Sequence, residues 1–322
     1  MLALTLDGRA PRLERSYPEP ARGPGEALVR MRLAGICDTD LQLARGYLGF
    51  RGIPGHEFVG EVLDADDKAW VGARVVADIN AGCGRCDDCT ERDGHHCRER
   101  SVLGILGRNG AFAELLTLPE RCLVRVPDTV TDEQAVFSEP LAAAVHVLDA
   151  IPRNLRNRAR VAVLGDGKLG LLIALALAGA GLEVTAIGHH PEKLALLPPE
   201  LETLLESQLH ARQFDVVVEA TGTARGLERA LTLAVPRGTI VLKTTVHGDY
   251  SLDLSPVVIN ELTLVGSRCG TPAEAVALLN DTSLDPTPLI AERYSLSNAV
   301  EAFARASAPG VLKVLVEGCR TP

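Results

Sequence analysis

Four cysteines at Cys83, Cys86, Cys89 and Cys97, spaced C-x2-C-x2-C-x7-C, are the densest chemistry in the chain. Their thiolates can close a tetrahedral shell around one Zn2+, because the two-residue gaps let the backbone turn back on the ion and Gly82, Gly84 and Gly94 permit the tight path. A pair of disulfides or an iron–sulfur site would draw on the same residues. A full thiolate shell leaves no position for a substrate, so a zinc there is structural and catalysis needs another site. A second set is looser: Cys37, in Gly35-Ile36-Cys37-Asp38-Thr39-Asp40, stands 19 residues before His56, in Pro54-Gly55-His56-Glu57. One thiolate, one imidazole and one glutamate would hold zinc with a fourth position open to water or an alcohol oxygen. The same Cys and His also read as ordinary core residues.

The third candidate binds a nucleotide. Gly165-Asp166-Gly167-Lys168-Leu169-Gly170 follows the apolar run Arg160–Leu164 and opens a helix with Leu169, Leu172, Ile173, Ala176, Leu177 and Ala180 on one face. Gly165 allows the tight turn, Gly167 lets the backbone approach a pyrophosphate at the helix N-terminus, and Gly170 allows helix and strand to pack closely. The next strand ends at Gly188-His189-His190-Pro191-Glu192-Lys193, where an NAD site places an Asp or Glu for the adenosine ribose. Gly188 offers no such carboxylate, and His189, His190 and Lys193 could donate to a 2′-phosphate. NADP is therefore favoured over NAD; the alternative is that the histidines are solvated and either cofactor is taken.

The elements that must position these groups divide into three stretches. In residues 1–140, short β-type runs at 27–33, 58–63, 74–77 and 112–118 alternate with Gly and Pro clusters, the pattern of an irregular β-barrel or sandwich. In residues 141–266, a helix at 141–148 leads to strands at 160–164, 182–187, 215–219, 238–243 and 262–266, with 201–205 as a third-strand candidate and a helix at 226–233. This alternation predicts an α/β doubly wound parallel sheet. In residues 267–322, helices at 272–279 and 297–305 precede a strand at 311–316 that is expected to close the first sheet.

With 46% hydrophobic and 23% charged residues, 322 residues can bury the cores of two domains. A net charge of −9 without a basic patch, and with Asp87-Asp88 inside the cysteine lobe, argues against nucleic acid or an anionic membrane as partner. The longest apolar run, 169–180, is too short for a membrane span of ~20 residues. The N-terminal residues lack a basic segment followed by an apolar core, so no secretory signal is expected, and clustered cysteines fit a reducing, cytoplasmic setting. Cys122, Cys269 and Cys319 have no partner spacing and read as small incidental residues.

Gly35-Ile36-Cys37-Asp38-Thr39-Asp40, Gly55-His56-Glu57-Phe58-Val59-Gly60, the four-cysteine lobe and Ser138-Glu139-Pro140-Leu141-Ala142 resemble, in order and spacing, the zinc-dependent medium-chain alcohol and polyol dehydrogenases. The resemblance implies a GroES-like β-barrel catalytic domain (1–140), a Rossmann dinucleotide domain (141–266) and a return segment (267–322) that completes the first domain. It implies a catalytic zinc on Cys37 and His56, with Glu57 as an alternate ligand, Glu139 as ligand or partner of bound water, and Thr39 carrying the alcohol proton away. Thr221 and Thr244, within Ala220-Thr221-Gly222 and Thr244-Thr245-Val246, would line the nicotinamide half, and Arg268, in the hinge 266–270, would touch cofactor or else form a surface salt bridge. The implied reaction passes hydride between an alcohol and NADP or NAD, zinc acting as Lewis acid.

Two residues depart from the family pattern: Asp38 replaces a common Gly, and Gln42 replaces a histidine that relays the proton, so any relay beyond Thr39 runs through water or the cofactor ribose. Glu139, where alcohol-specialised relatives have Cys, resembles the sorbitol, threonine and glucose dehydrogenase branch and points to a polyol, sugar or amino alcohol as small-molecule substrate. An inactive dinucleotide-binding relative is the alternative. A homodimer or homotetramer, paired through the edge strand 262–266, is expected.

Overall fold

The computed structural model describes every residue except 9, 154, 157, 210–212, 246–250, 282–283 and 320–322. The chain falls into two compact units, one gathering Met1–Glu139 with Thr271–Asp281 and Asp285–Pro322, the other built on Pro140–Gly270.

The first unit is organised on the strand Glu26–Gly35, whose alternation places Ala27, Val29, Met31 and Leu33 inside. Its sheet runs in the order Leu123–Arg125, Arg74–Ala77, Glu57–Asp64, Glu26–Gly35, Lys313–Glu317, Ile290–Ser295, and Leu115–Pro119 pairs with the first half of the central strand. Both neighbours of the central strand are antiparallel to it, and Gly35 lies opposite Glu57 on one side and Leu315 on the other. Cys37 follows Gly35 by two residues and His56 precedes Glu57 by one, so this register brings both candidate ligands to the same end of one strand pair. The core beneath joins Val29, Met31, Phe58, Val62, Phe112 and Leu116 to Phe303 of the helix Ala299–Ala306. Phe112 and Phe303 meet edge to face, with ring centroids 5.2 Å apart, and each buried ring contributes roughly 1.5–3 kcal/mol.

The second unit is a six-stranded sheet in the order Glu202–Leu205, Glu183–Gly188, Arg160–Leu164, Phe214–Glu219, Ala234–Leu242, Thr263–Gly266, and every pairing is parallel. Arg160–Leu164 and Phe214–Glu219 are buried along nearly their whole length, as strands covered on both faces must be. Gly165, at φ +126°, makes the turn from Arg160–Leu164 into the helix Lys168–Gly179, and a Cβ on Gly170 would strike the Gly165 carbonyl oxygen. The expected α/β class with a doubly wound sheet therefore stands, with element ends moved by a few residues. The strand expected from 238 begins at Ala234, because a register shift between Phe214 and Val216 lets the irregular 234–238 stretch join the ladder. The helix expected over 141–148 starts at Ser138 and breaks after Val145, with a short helix Val147–Ala150 following. No helix among the described residues is long and apolar enough to cross a membrane.

Candidate metal centres and dinucleotide cradle

Cys37, His56 and Glu57 each bring a potential ligand atom within 4.8 Å of the others. Cys37 is the cap residue of the short helix Asp38–Ala44, which starts directly after the central strand ends. The entirely buried Asp40 organises the set. Its Oδ2 accepts from the Cys37 N–H at 2.9 Å, its Oδ1 accepts from the Gly55 N–H at 3.1 Å, and Oδ1 lies 3.3 Å from His56 Nδ1. That last pair is close enough for attraction but not aligned as a hydrogen bond. One carboxylate thus ties together the two segments that carry the thiol and the imidazole. Burial alone would lower the His56 pKa, but Asp40 and Cys37 outweigh it and raise it well above the usual imidazole value. Asp40 has no task legible from the metal-ligand spacing, but an Asp three residues after a cap residue is a capping signal that points to it.

Glu57 is paired, deep in the protein, with Lys313 of the return strand: the Lys313 ammonium donates to Oε2, and the two side chains are 3% and 1% exposed. The Lys313 ammonium also lies 5.7 Å from the centre of the Phe137 ring. A Cβ on Gly35 would collide with Glu57 Oε2, so the glycine before the cysteine makes room for this pair. Glu57 Oε1 is a buried acceptor with no hydrogen-bond partner among the described residues, an atom of the kind a cation satisfies. The donor set of thiol, imidazole and orphaned carboxylate oxygen fits zinc.

Glu139 stands in the first turn of the helix Ser138–Val145, half-buried and outside the 4.8 Å set. Loss of hydration, reinforced by Glu57 and Asp78 and opposed by His56 and Lys313, pushes its carboxyl up to about 7. Thr39 Oγ1 lies 3.9 Å from Cys37 Sγ, while Asp38 and Gln42 are exposed. Lys313 carried no sequence signal, because its partner is 256 residues away.

The second cluster unites Cys83, Cys86, Cys89 and Cys97, again within 4.8 Å. Cys86 and Cys89 sulfurs are 3.6 Å apart, and Cys97 Sγ accepts from the Cys83 N–H at 3.3 Å. The N–H groups of Arg85 and Cys86 hold the Cys83 thiol down to about 6. The Cys89 N–H favours a Cys86 thiolate, but the sulfurs of Cys89, Cys83 and Cys97 together with burial push that thiol up to about 12. Four sulfurs this close do not all ionise without a cation between them, so the donor set is compatible with zinc. His95, buried two residues before Cys97, fastens the lobe to the sheet: its Nε2 is 2.7 Å from Asp78 Oδ2 and its Nδ1 3.3 Å from Asp93 Oδ2.

In the second unit, Gly167 caps the helix Lys168–Gly179, and a Cβ built on it would meet nothing within 4 Å. The protein itself does not need that glycine, whereas a pyrophosphate approaching the helix N-terminus does, so the loop fits a dinucleotide. Lys168 and Leu169 open the helix, both half-buried. Thr221 and Thr244 follow the strands Phe214–Glu219 and Ala234–Leu242; Thr221 donates to buried Glu219 at 2.6 Å, and Thr244 Oγ1 accepts from the Gly222 N–H at 2.9 Å. Val246, expected beside them, lies outside the described residues. Arg268 is exposed, and its carbonyl accepts from Lys243 Nζ at 2.8 Å; that ammonium also reaches the Ala143 carbonyl, a tether that sequence reading missed.

At the end of the strand Glu183–Gly188 the expectation of a rim without a carboxylate needs correction. Asp166, the middle residue of Gly165-Asp166-Gly167, places its side chain there. Its Oδ2 accepts from the His189 and His190 N–H groups, each at 2.7 Å, and lies 3.0 Å from His190 Nδ1. Burial would raise this carboxyl, but the His190 and His189 bonds hold it below the usual carboxylate range. His189 Nε2 is 2.8 Å from Glu206 Oε2, so both histidines expected to donate to a phosphate already face carboxylates. Lys193 sits on the short helix Pro191–Leu194 that follows.

Residues 23–128 match the family model described as the alcohol dehydrogenase GroES-like domain, and residues 169–283 that of zinc-binding dehydrogenase. The L-threonine 3-dehydrogenase of Chelativorans sp. (strain BNC1) is 30% identical over 326 residues, with 93% of each chain covered. A zinc-binding dehydrogenase from Sinorhizobium meliloti 1021, solved with NADP, is 29% identical, with 98% of each chain covered and a TM-score of 0.86. The short chain alcohol dehydrogenase of Escherichia coli CFT073, solved with NADH, is 26% identical at the same TM-score, with 98% of this chain and 99% of that one covered.

Proposed function

We propose, from the premise that this chain belongs to the zinc-dependent medium-chain alcohol and polyol dehydrogenases, that Cys37 and His56, with Glu57 or Glu139, hold a catalytic zinc for oxidation of an alcohol group on a polyol, sugar or amino alcohol. The observation that carries the assignment is the convergence of Cys37, His56 and Glu57 ligand atoms within 4.8 Å of one another, with one buried Glu57 oxygen that has no partner among the described residues. Cys83, Cys86, Cys89 and Cys97 hold a second, structural zinc in this reading. Residues 1–140 and 267–322 act as the catalytic domain and 141–266 as the dinucleotide domain, a division supported by the two compact units.

When bound, zinc supplies Lewis acidity toward the substrate oxygen and the nicotinamide accepts or returns hydride. The chain's own residues do the rest. Asp40 fixes the Cys37 backbone and faces the His56 ring; Thr39 Oγ1, beside Cys37, would accept the substrate proton while passing its own on to water or the cofactor ribose, since Gln42, unable to titrate, does not extend that relay. Gly165 to Gly170 seat the pyrophosphate. Glu139 and the threonine dehydrogenase relative support a hydroxylated substrate over a simple alkanol. Metal analysis should give about two zinc per chain, and the zinc-loaded protein should reduce NAD+ or NADP+ with members of a panel of polyols, sugars and hydroxy amino acids. Two bound zincs without turnover across that panel would overturn the proposal.

The chain is also proposed to form a dimer, or a tetramer built from dimers, in a reducing cytoplasm where the thiolates persist. Among the described residues Thr263–Gly266 is the outermost strand of its sheet, and just before it Leu254, Val258 and Ile259 are 53%, 79% and 77% exposed. Large apolar side chains beside an unpaired edge strand mark a surface that a second copy covers. Val258→Asp with Ile259→Asp should halve the mass measured by light scattering; an unchanged mass would place the interface elsewhere.

A further inference from the structure

Relatives of nearly equal likeness carry NADP in one case and NADH in the other, so the fold does not decide the cofactor and particular residues must. In a doubly wound sheet the deciding place is the end of the second strand, where a carboxylate accepts from the ribose 2′-hydroxyl and repels a 2′-phosphate. This chain has Gly188 there. A Cβ built on Gly188 would stand 2.5 Å from Asp166 Cβ and 2.7 Å from Asp166 Cγ, and would strike Oδ2. The space a strand-end side chain would use is already filled, and it is filled by a carboxylate delivered from the glycine-rich loop.

We infer that Asp166 is the residue that reads the adenosine ribose, and that it sets the site for NAD(H) over NADP(H). The inference rests on the dinucleotide reading of the Gly165–Gly170 loop. Three features support it independently of the glycine spacing. Asp166 Oδ2 takes both strand-end N–H groups and faces the His190 ring, which fixes the carboxylate in place and leaves Oδ1 to accept from a ribose hydroxyl. The side chain keeps about a tenth of its surface exposed, enough to be met by a ligand on the rim. Of the groups expected to donate to a 2′-phosphate, both histidine rings already face carboxylates, His190 that of Asp166 and His189 that of Glu206, while Lys193 stands on the short helix that follows. A dianionic phosphate would therefore enter beside two carboxylates and lose the hydroxyl that donates to one of them.

The test is direct binding without turnover. NADH and NADPH are titrated, by their own fluorescence, onto the zinc-loaded protein, and ADP-ribose and 2′-phospho-ADP-ribose are used to displace them. Wild type should bind NADH and ADP-ribose about tenfold or more tighter than their 2′-phosphorylated forms. Asp166→Asn, which keeps an acceptor for the His189 and His190 N–H groups but removes the charge, should close that gap to within about threefold, chiefly by tightening NADPH. Asp166→Ser serves the same purpose where Asn does not fold. Equal or tighter binding of NADPH by wild type, or a ratio unmoved by both variants, would overturn the inference while the dinucleotide site stands. Failure of both reduced cofactors to bind would overturn the dinucleotide reading and the inference with it.

Discussion

Lys313→Met is expected to cost the protein about 3–5 kcal/mol of unfolding free energy, read as a lower denaturation midpoint at unchanged slope. Methionine keeps most of the length and apolar stem of lysine, so what is lost is the ammonium. The Glu57 carboxylate, 1% exposed, then has its paired oxygen stranded as well as the one that has no partner among the described residues. Removing one member of a buried ion pair is costly because the other stays charged in a medium that hydrates it poorly. The double variant Lys313→Met with Glu57→Gln removes that stranded charge and should recover more than half of the loss. A double variant as unstable as the single would assign the effect to packing instead, and a wild-type midpoint for the single would show the pair to be neutral.

Asp40→Ala should weaken zinc at the Cys37–His56 site by about 10–100-fold while leaving the four-cysteine lobe loaded. The carboxylate is wholly buried and serves two backbone N–H groups and an imidazole, so its removal leaves buried donors without acceptors and frees the His56 ring to turn. Dialysis against graded chelator, with zinc counted per chain, reads the effect: the variant should fall from two zincs to one at a chelator strength the wild type withstands. Asp40→Asn, still an acceptor, should lie between. Simultaneous loss of both metals, or an unchanged titration, would remove Asp40 from its assigned task.

Much of this molecule is legible in its residues because particular spacings serve particular geometries. The apolar run Arg160–Leu164 ending in Gly165-Asp166-Gly167 announces a strand, a tight turn and a helix start, and the four cysteines announce a closed shell. The short strand Glu202–Leu205 is a weaker signal because, at the edge of the sheet, it is exposed over half its length and carries no clean alternation. What sequence reading missed shares one property: periodicity reports that a side chain is buried but not against what. Asp40 reaches the Cys37 N–H locally, yet the Gly55 N–H and the His56 ring come to it only through the fold. Asp166 carries no signal of its own between two glycines, and the lack of a carboxylate at 188 is a lack only along the chain. Lys313 and Glu57 sit on strands that flank the central strand from opposite sides, a neighbourhood that appears only once register is known.

The pairing of Lys313 with Glu57 also has a consequence for synthesis. At the ~5–20 residues per second of translation, the 256 residues between them separate their appearance by roughly 13–50 s. During that interval the nascent first unit lacks both the strand that lies between Glu26–Gly35 and Ile290–Ser295 and the cation that balances Glu57. Until that strand arrives its sheet has one flank of the central strand uncovered there, and Glu57 stays in contact with water. The unit that carries the Cys37–His56 cluster is thus completed only after the second unit has been made, and ribosome-bound chains stopped before residue 313 should be more open to chaperones and proteases there than the sequence of residues 1–140 alone would suggest.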